Sequence, residues 1–226
     1  MTPCHIPLFG GVPVPSRTFF NLPEEKRTRL MKSVQAELAR VPFEAASINR
    51  IVRTAGISRG SFYQYFENKQ DMLDYLLRGH REMLSERALK SLRQSGGDLF
   101  RMLLDILEYI HEIASDKENG RLFLNLFSDI KINSAFLEQR AGGDPLGIGR
   151  DDLRRLVNTA ALDIRGDNDF EDMLGVLLPL TGETFAQVFF APSAYAKHRA
   201  QYKARLELIK RGFIKEKGGP CSDTSP

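Results

Sequence analysis

Cysteine, tryptophan and histidine are scarce in this chain. Its 226 residues include two cysteines, four histidines and no tryptophan. Cys4 and Cys221 stand near opposite ends, which excludes a disulfide framework and a cysteine-rich zinc site and fits a reducing cytoplasm. His111-Glu112 opens an H-E-x-x pattern, but Ser115 holds the fifth position where a zincin needs histidine. An uninterrupted apolar run of the ~20 residues that span a membrane is missing. The most apolar stretch, Met173–Pro192, is broken by Pro179 and Gly182 and carries Glu183. The first twenty residues lack the basic start and apolar centre of a signal peptide. No Walker motif or G-x-S-x-G elbow occurs, and GGDPLGIG lacks the strand and spacing of a dinucleotide loop. These absences predict a protein that is not an enzyme and needs no cofactor, no metal and no membrane.

Positive charge is unevenly placed. Residues 1–80 hold 11 Lys and Arg against 7 Asp and Glu, a net of +4, whereas the remainder carries a net of −1. Lys26–Lys32 and Ala45–Phe66 are basic without a single acid. A basic end on a near-neutral body points to a polyanionic partner at that end.

Helical signals dominate the rest. A first helix is predicted from Leu22–Glu24 to just before Pro42, which disfavours helix at Val41. A second starts after Ser47, an N-cap, with Ile48, Ile51, Val52 and Ala55 on its apolar face, and ends at Gly56. Ser58 caps a short third helix, Arg59 to about Tyr65. Asn68 caps a long fourth that lasts until Gly96-Gly97, and Asp98 caps a fifth reaching about Ser115. Further helices are predicted at 119–130, 134–140, 150–162, 169–191 and 193–216, with a glycine-rich loop at 141–149. Pro179 should kink or split the 169–191 helix.

Two helices joined by a tight glycine turn, the second opened by serine, form a helix-turn-helix. Such a unit lays its second helix in the DNA major groove. At about 100° per residue, Phe62 and Phe66 share the anchoring face, and Gly60 and Gln64 fall opposite. Gly60 allows close approach of backbone to DNA; Gln64 can read adenine, and Arg59 guanine or a phosphate. Tyr63 is placed for a phosphate.

The string SINRIVRTAGISRGSFYQYFENKQDML resembles the DNA-binding signature of TetR/AcrR-family transcriptional regulators. The matching residues are the turn Ala55-Gly56-Ile57-Ser58, then Arg59-Gly60-Ser61-Phe62-Tyr63, Tyr65-Phe66 and Lys69, within about 29–73. Three positions depart from the pattern: Arg50 where an acid is common, Pro42 for a common glycine, and Glu37 for an apolar residue. The resemblance implies an all-α fold with a disordered arm at 1–21, a DNA-binding domain at 22–66, a helical ligand-binding and dimerisation domain at 67–217, and a disordered tail at 218–226. It implies a cytoplasmic homodimer on a palindromic double-stranded DNA operator, usually a repressor, released by a small-molecule effector. The expected DNA contacts are Ser47, Arg50, Ser58, Arg59, Gly60, Ser61, Tyr63, Gln64 and Lys69. Aromatic richness in the central helices marks Met102, Tyr109, Phe123, Phe127 and Phe136, with His111, as candidate pocket residues. The nearly all-round apolar helix after Asp169 makes Leu174, Leu177, Leu178, Phe185 and Phe189 candidates for the dimer interface. A rival reading is a DNA-binding scaffold that recruits a protein without any small molecule.

Overall fold

The computed structural model describes residues 15–128, 148 and 150–214. The predicted helix at 134–140, the loop at 141–149 apart from Ile148, Phe136, the first fourteen residues and the tail lie outside them. Ten α-helices occur among the described residues: α1 (Arg17–Phe20), α2 (Glu24–Arg40), α3 (Ile48–Ala55), α4 (Arg59–Tyr65), α5 (Lys69–Gln94), α6 (Leu99–Ser115), α7 (Lys117–Ser128), α8 (Arg150–Leu156), α9 (Asp169–Phe190) and α10 (Tyr195–Phe213). The one strand-like pairing among the described residues is an isolated bridge between Leu162 and Ile214. The fold is all-α, as expected.

The caps fall where the residue types place them. Ser47, Asn68 and Asp98 accept backbone N–H bonds at the starts of α3, α5 and α6. Val41 is extended before Pro42. Gly56 ends α3 at φ 66° and ψ 38°, a left-handed conformation that costs glycine nothing. The region before Leu22 differs from expectation. It holds α1, and Phe19 is fully buried, packing its ring against Tyr65, Phe66 and Tyr75. Four residues are too few for a helical period to show in the sequence.

Two apolar cores form. The first gathers Leu30, Val34, Leu38, Ile51, Phe62, Phe66 and Met72, together with Phe19 of α1 and Leu122 and Leu126 of α7. Thus α7, far along the chain, completes the core of the N-terminal region. Leu122 and Leu126, one turn apart, supply the apolar contact. Two polar contacts fix α7 against α2: Gln35 donates to Asn119 at 2.7 Å, and Asn125 donates to the Leu38 carbonyl at 2.8 Å. Pro42, four residues past Leu38, has no N–H to offer that carbonyl. Phe123, beside Leu122, turns toward His80 of α5 and Phe189 of α9.

The second core joins α6, α9 and α10 through Met102, Leu103, Ile106, Phe170, Leu174, Leu177, Tyr202 and Leu206. Pro179 does not split α9, which runs unbroken through it; the carbonyl it deprives belongs to Gly175, which faces solvent. By length and composition alone this continuous helix could cross a membrane, but one side of it packs into this core. Buried Thr181 and Tyr202 share a hydrogen bond at 2.6 Å between α9 and α10, and burial pushes the Tyr202 phenol up to about 12. The five expected dimer residues separate: Leu178 and Phe185 are partly exposed on α9 and stay available to a partner. Leu174, Leu177 and Phe189 are covered within this single chain, at 2%, 0% and 4% exposure. Their side chains pack into the second core of the chain itself. The exposed apolar residues of α9 and α10 are Val176, Phe190 and Leu208, at 50%, 56% and 63%.

Glu37 ties α2 to α3. Its carboxylate is 3% exposed and accepts two bonds from Arg40 at 2.8 and 2.9 Å. It also accepts the Ser47 N–H at 3.0 Å and pairs with Arg50 at 3.3 Å. Arg40 and the Ser47 amide outweigh burial and hold this carboxyl below its ordinary range. A depressed folded-state pKa contributes stability that is complete well above the ordinary carboxylate value of about 4.3 and is lost as pH falls through the folded value. Glu37→Gln should therefore cost about 1–3 kcal/mol near neutrality and shrink the stability lost below about pH 4. Denaturant melts across pH check this; parallel pH profiles for both proteins would contradict it. Leu122→Ala should cost about 2–5 kcal/mol and speed hydrogen exchange in α2. Exchange faster only within 98–213 would separate α7 from the first core.

Candidate nucleic-acid interface

The seven-residue helix α4 shows two faces. Phe62 and Phe66 are 0% and 1% exposed, their rings 5.6 Å apart, and Tyr65 is buried beside them. Arg59, Gly60, Tyr63 and Gln64 are exposed, which is the arrangement the helical angles predict. The Ser58 hydroxyl accepts the Ser61 N–H at 3.0 Å and lies 2.9 Å from the Ser61 hydroxyl. Both serines are therefore engaged in shaping the start of α4. Ser47 plays the same part for α3, accepting the Arg50 N–H at 3.4 Å. At the other end of α3, Arg29 of α2 donates to the Ala55 carbonyl at 2.8 Å.

Arg59 does not fan freely outward. Its guanidinium donates to the Asn49 side chain of α3 and to the Tyr63 hydroxyl at 3.1 Å, with the Tyr63 ring 5.5 Å away. This holds one charged, five-donor group over the junction of α3 and α4. Asn49 was not identified from sequence, and its partner lies ten residues away without a recognisable spacing. Arg50 is half exposed and spends its Nε on Glu37.

Lys69, an expected phosphate contact, donates its ammonium within the fold to the carbonyls of Phe43, Glu44 and Ala46 at 3.2, 3.1 and 3.4 Å. It also lies 5.0 Å from the Phe43 ring centre. All three of its donors are committed to the turn between α2 and α3. Lys69 is half buried and shapes that turn.

The candidate pocket residues separate. Met102 and Tyr109 are buried in packed surroundings, at 0% and 5% exposure, and Arg87 covers the Tyr109 ring at 4.6 Å. Burial raises the Tyr109 phenol. Neither is among the residues that line the groove at His111. Phe123 is half buried at the joint of the two cores. His111 stacks on Tyr195 at 3.8 Å and lines an open groove of about 660 Å³ with Ser115 and Pro192. Phe136 lies outside the described residues, as does the Phe127 side chain. No group of three potential metal ligands occurs among the described residues.

Comparison with known proteins agrees with this geometry. The model for bacterial regulatory proteins of the tetR family matches residues 35–76, and the tetracyclin repressor-like C-terminal domain matches residues 98–213. A fatty acid metabolism regulator protein of Bacillus subtilis is 22% identical over 120 residues, covering 52% of this chain and 59% of its own length. The regulator BetI of Vibrio campbellii is 32% identical over 77 residues, covering 34% and 39% respectively. The chain thus matches less than two thirds of either relative. Among solved structures, a tetR-family regulator from a Shewanella species superposes with a TM-score of 0.58 at 17% identity, covering 84% of this chain and 99% of the other. NalD of Pseudomonas aeruginosa, the secondary repressor of a multidrug efflux pump, gives 0.55 at 20% identity, covering 85% and 98%. With a helix-turn-helix match at one end and a C-terminal domain match over half of its length, the chain belongs to the TetR family of transcriptional regulators, which are not enzymes.

Proposed function

We propose that this regulator is a homodimeric repressor that lays α4 in successive major grooves of a palindromic operator and leaves it when a small molecule binds the C-terminal helices. The observation that carries the DNA-reading part is Gly60. A methyl group there would meet only the Ser58 hydroxyl, at 3.7 Å. Nothing inside the fold needs glycine at this exposed helical position, where alanine is the better helix former. A surface that comes close from outside does need it. Gln64 beside it is exposed for base edges, while Arg59 and Tyr63 form a linked polar pair for guanine or phosphate. Half-sites about 34–36 Å apart would match a twofold dimer.

For release, Phe123 is the contact that supports coupling. Its ring touches both α5 and α9, while its neighbour Leu122 sits in the DNA-binding core. A ligand that separates Phe123 from Phe189 shifts α7 and, with it, α2. The ligand must bind the released state more tightly, since equal affinity for both states shifts nothing. The solid packing around Met102 and Tyr109 favours instead a scaffold that recruits a protein. A compound that lowers operator affinity, bound by the wild type and not by Phe123→Ala, decides against that rival.

Gly60→Ala should keep or raise the melting temperature and weaken operator binding. Gln64→Ala should cost about 1–3 kcal/mol on the operator and relax one or two base positions. Lys69→Ala should lower stability while leaving the slope of log K against log salt closer to wild type than Arg59→Ala does, because a bound phosphate contributes about one unit of slope. Binding to operator and scrambled duplexes at several salt concentrations checks all three. A slope lowered by Lys69→Ala but not Arg59→Ala would reverse the assignment. For assembly, Val176→Glu and Leu208→Glu should give folded monomers in sedimentation, whereas Leu177→Glu should unfold the chain; dimers from both surface variants would move the interface elsewhere.

A further inference from the structure

A helix leaves its last carbonyls without partners, and in a helix of seven residues these are a large share of the whole. In α4 they include the carbonyls of Gln64 and Tyr65. Both are met by one residue, just ahead of α1. Ser16 donates its backbone N–H to the Tyr65 carbonyl at 3.0 Å and its hydroxyl to the Gln64 carbonyl. Ser16 precedes α1 at φ −62° and ψ 162°, and its hydroxyl does not cap its own helix. That hydroxyl is spent on α4 instead. Three residues on, Phe19 anchors the segment, with its ring 6.1 Å from Tyr65, 5.1 Å from Phe66 and 4.9 Å from Tyr75.

We propose that Ser16 is a positioning residue for DNA reading: it holds the C-terminal end of α4, and so the Gln64 side chain, at a fixed depth and angle toward the bases. The inference rests on the reading of Gln64 as a base contact. Gln64 carries the exposed side chain and is also the residue whose carbonyl Ser16 grips. Loosening the last turn would swing that side chain without touching the Phe62 anchor or the phosphate contacts. The effect is therefore on discrimination between sequences, not on overall attraction to DNA.

Ser16→Pro is the decisive variant. Its φ already suits proline, whose ring fixes φ near −65° and removes the N–H, so both donors go while the chain path and Phe19 remain. Ser16→Thr keeps both donors, and Ser16→Ala keeps only the N–H. Each variant, with wild type and Gln64→Ala, selects its preferred site from random DNA duplexes. Affinities are then measured for that site and its single-base variants, beside melting temperature and salt slope.

Ser16→Pro should lose about tenfold discrimination at the base positions that Gln64→Ala relaxes, with its salt slope unchanged, and Ser16→Thr should restore wild-type selection. A folded Ser16→Pro protein with wild-type discrimination at every position overturns the proposal. If that variant unfolds, Ser16→Ala takes its place: a partial loss at the same positions supports positioning, and unchanged discrimination overturns it. If Gln64→Ala alters no preference, the reading of Gln64 fails by itself. Altered selection by Ser16→Pro then still supports positioning of α4, and unaltered selection overturns it.

Discussion

The structure depends on one constraint: the second helix of its helix-turn-helix is too short to exist alone. Isolated helices of fewer than about 12–15 residues are marginal in water, and α4 has seven. It persists because Phe62 and Phe66 are sunk among Leu38, Ile51, Phe19 and Met72. α2 and α3 form walls around that anchor, and α1, α5 and α7 close it. The anchor also decides which residues face outward. Two aromatic residues four apart fix the rotation of the helix, and the remaining positions become a presented surface.

Local chemistry was readable from the residues. Serine caps, the glycine stop after α3, the proline stop after α2 and the aromatic spacing of α4 each act within a few residues, and each appears in place. Contacts between distant segments were not readable. Lys69 chooses three carbonyls some twenty-five residues back, and no spacing announces that choice. The helix α9 failed for a different reason. When nearly every face is apolar, the period of the pattern no longer says which row turns inward. Leu174, Leu177 and Phe189 were thus assigned to a partner although the chain itself covers them.

Two departures from the family pattern resolve into one arrangement. Glu37, where an apolar residue is common, and Arg50, where an acid is common, are bonded to each other. A buried carboxylate without cations would be costly. With Arg40, Arg50 and the Ser47 amide around it, the same group becomes a junction that fixes the angle between α2 and α3. Arg40 carries most of that pairing and Arg50 adds to it from α3.

The place of α7 affects how this protein can be recombined. The two family matches leave an apparent seam at 77–97, which invites grafting the DNA-binding half onto another sensor. That cut would leave behind Leu122 and Leu126, along with Asn119 and Asn125, the partners of α2. The severed half would expose the part of the first core that Leu122 and Leu126 fill and become sticky. A workable chimera must either carry α7 along or import one whose surface matches α2. The unit that folds around α4 is therefore discontinuous in this chain, drawing on two stretches some eighty residues apart.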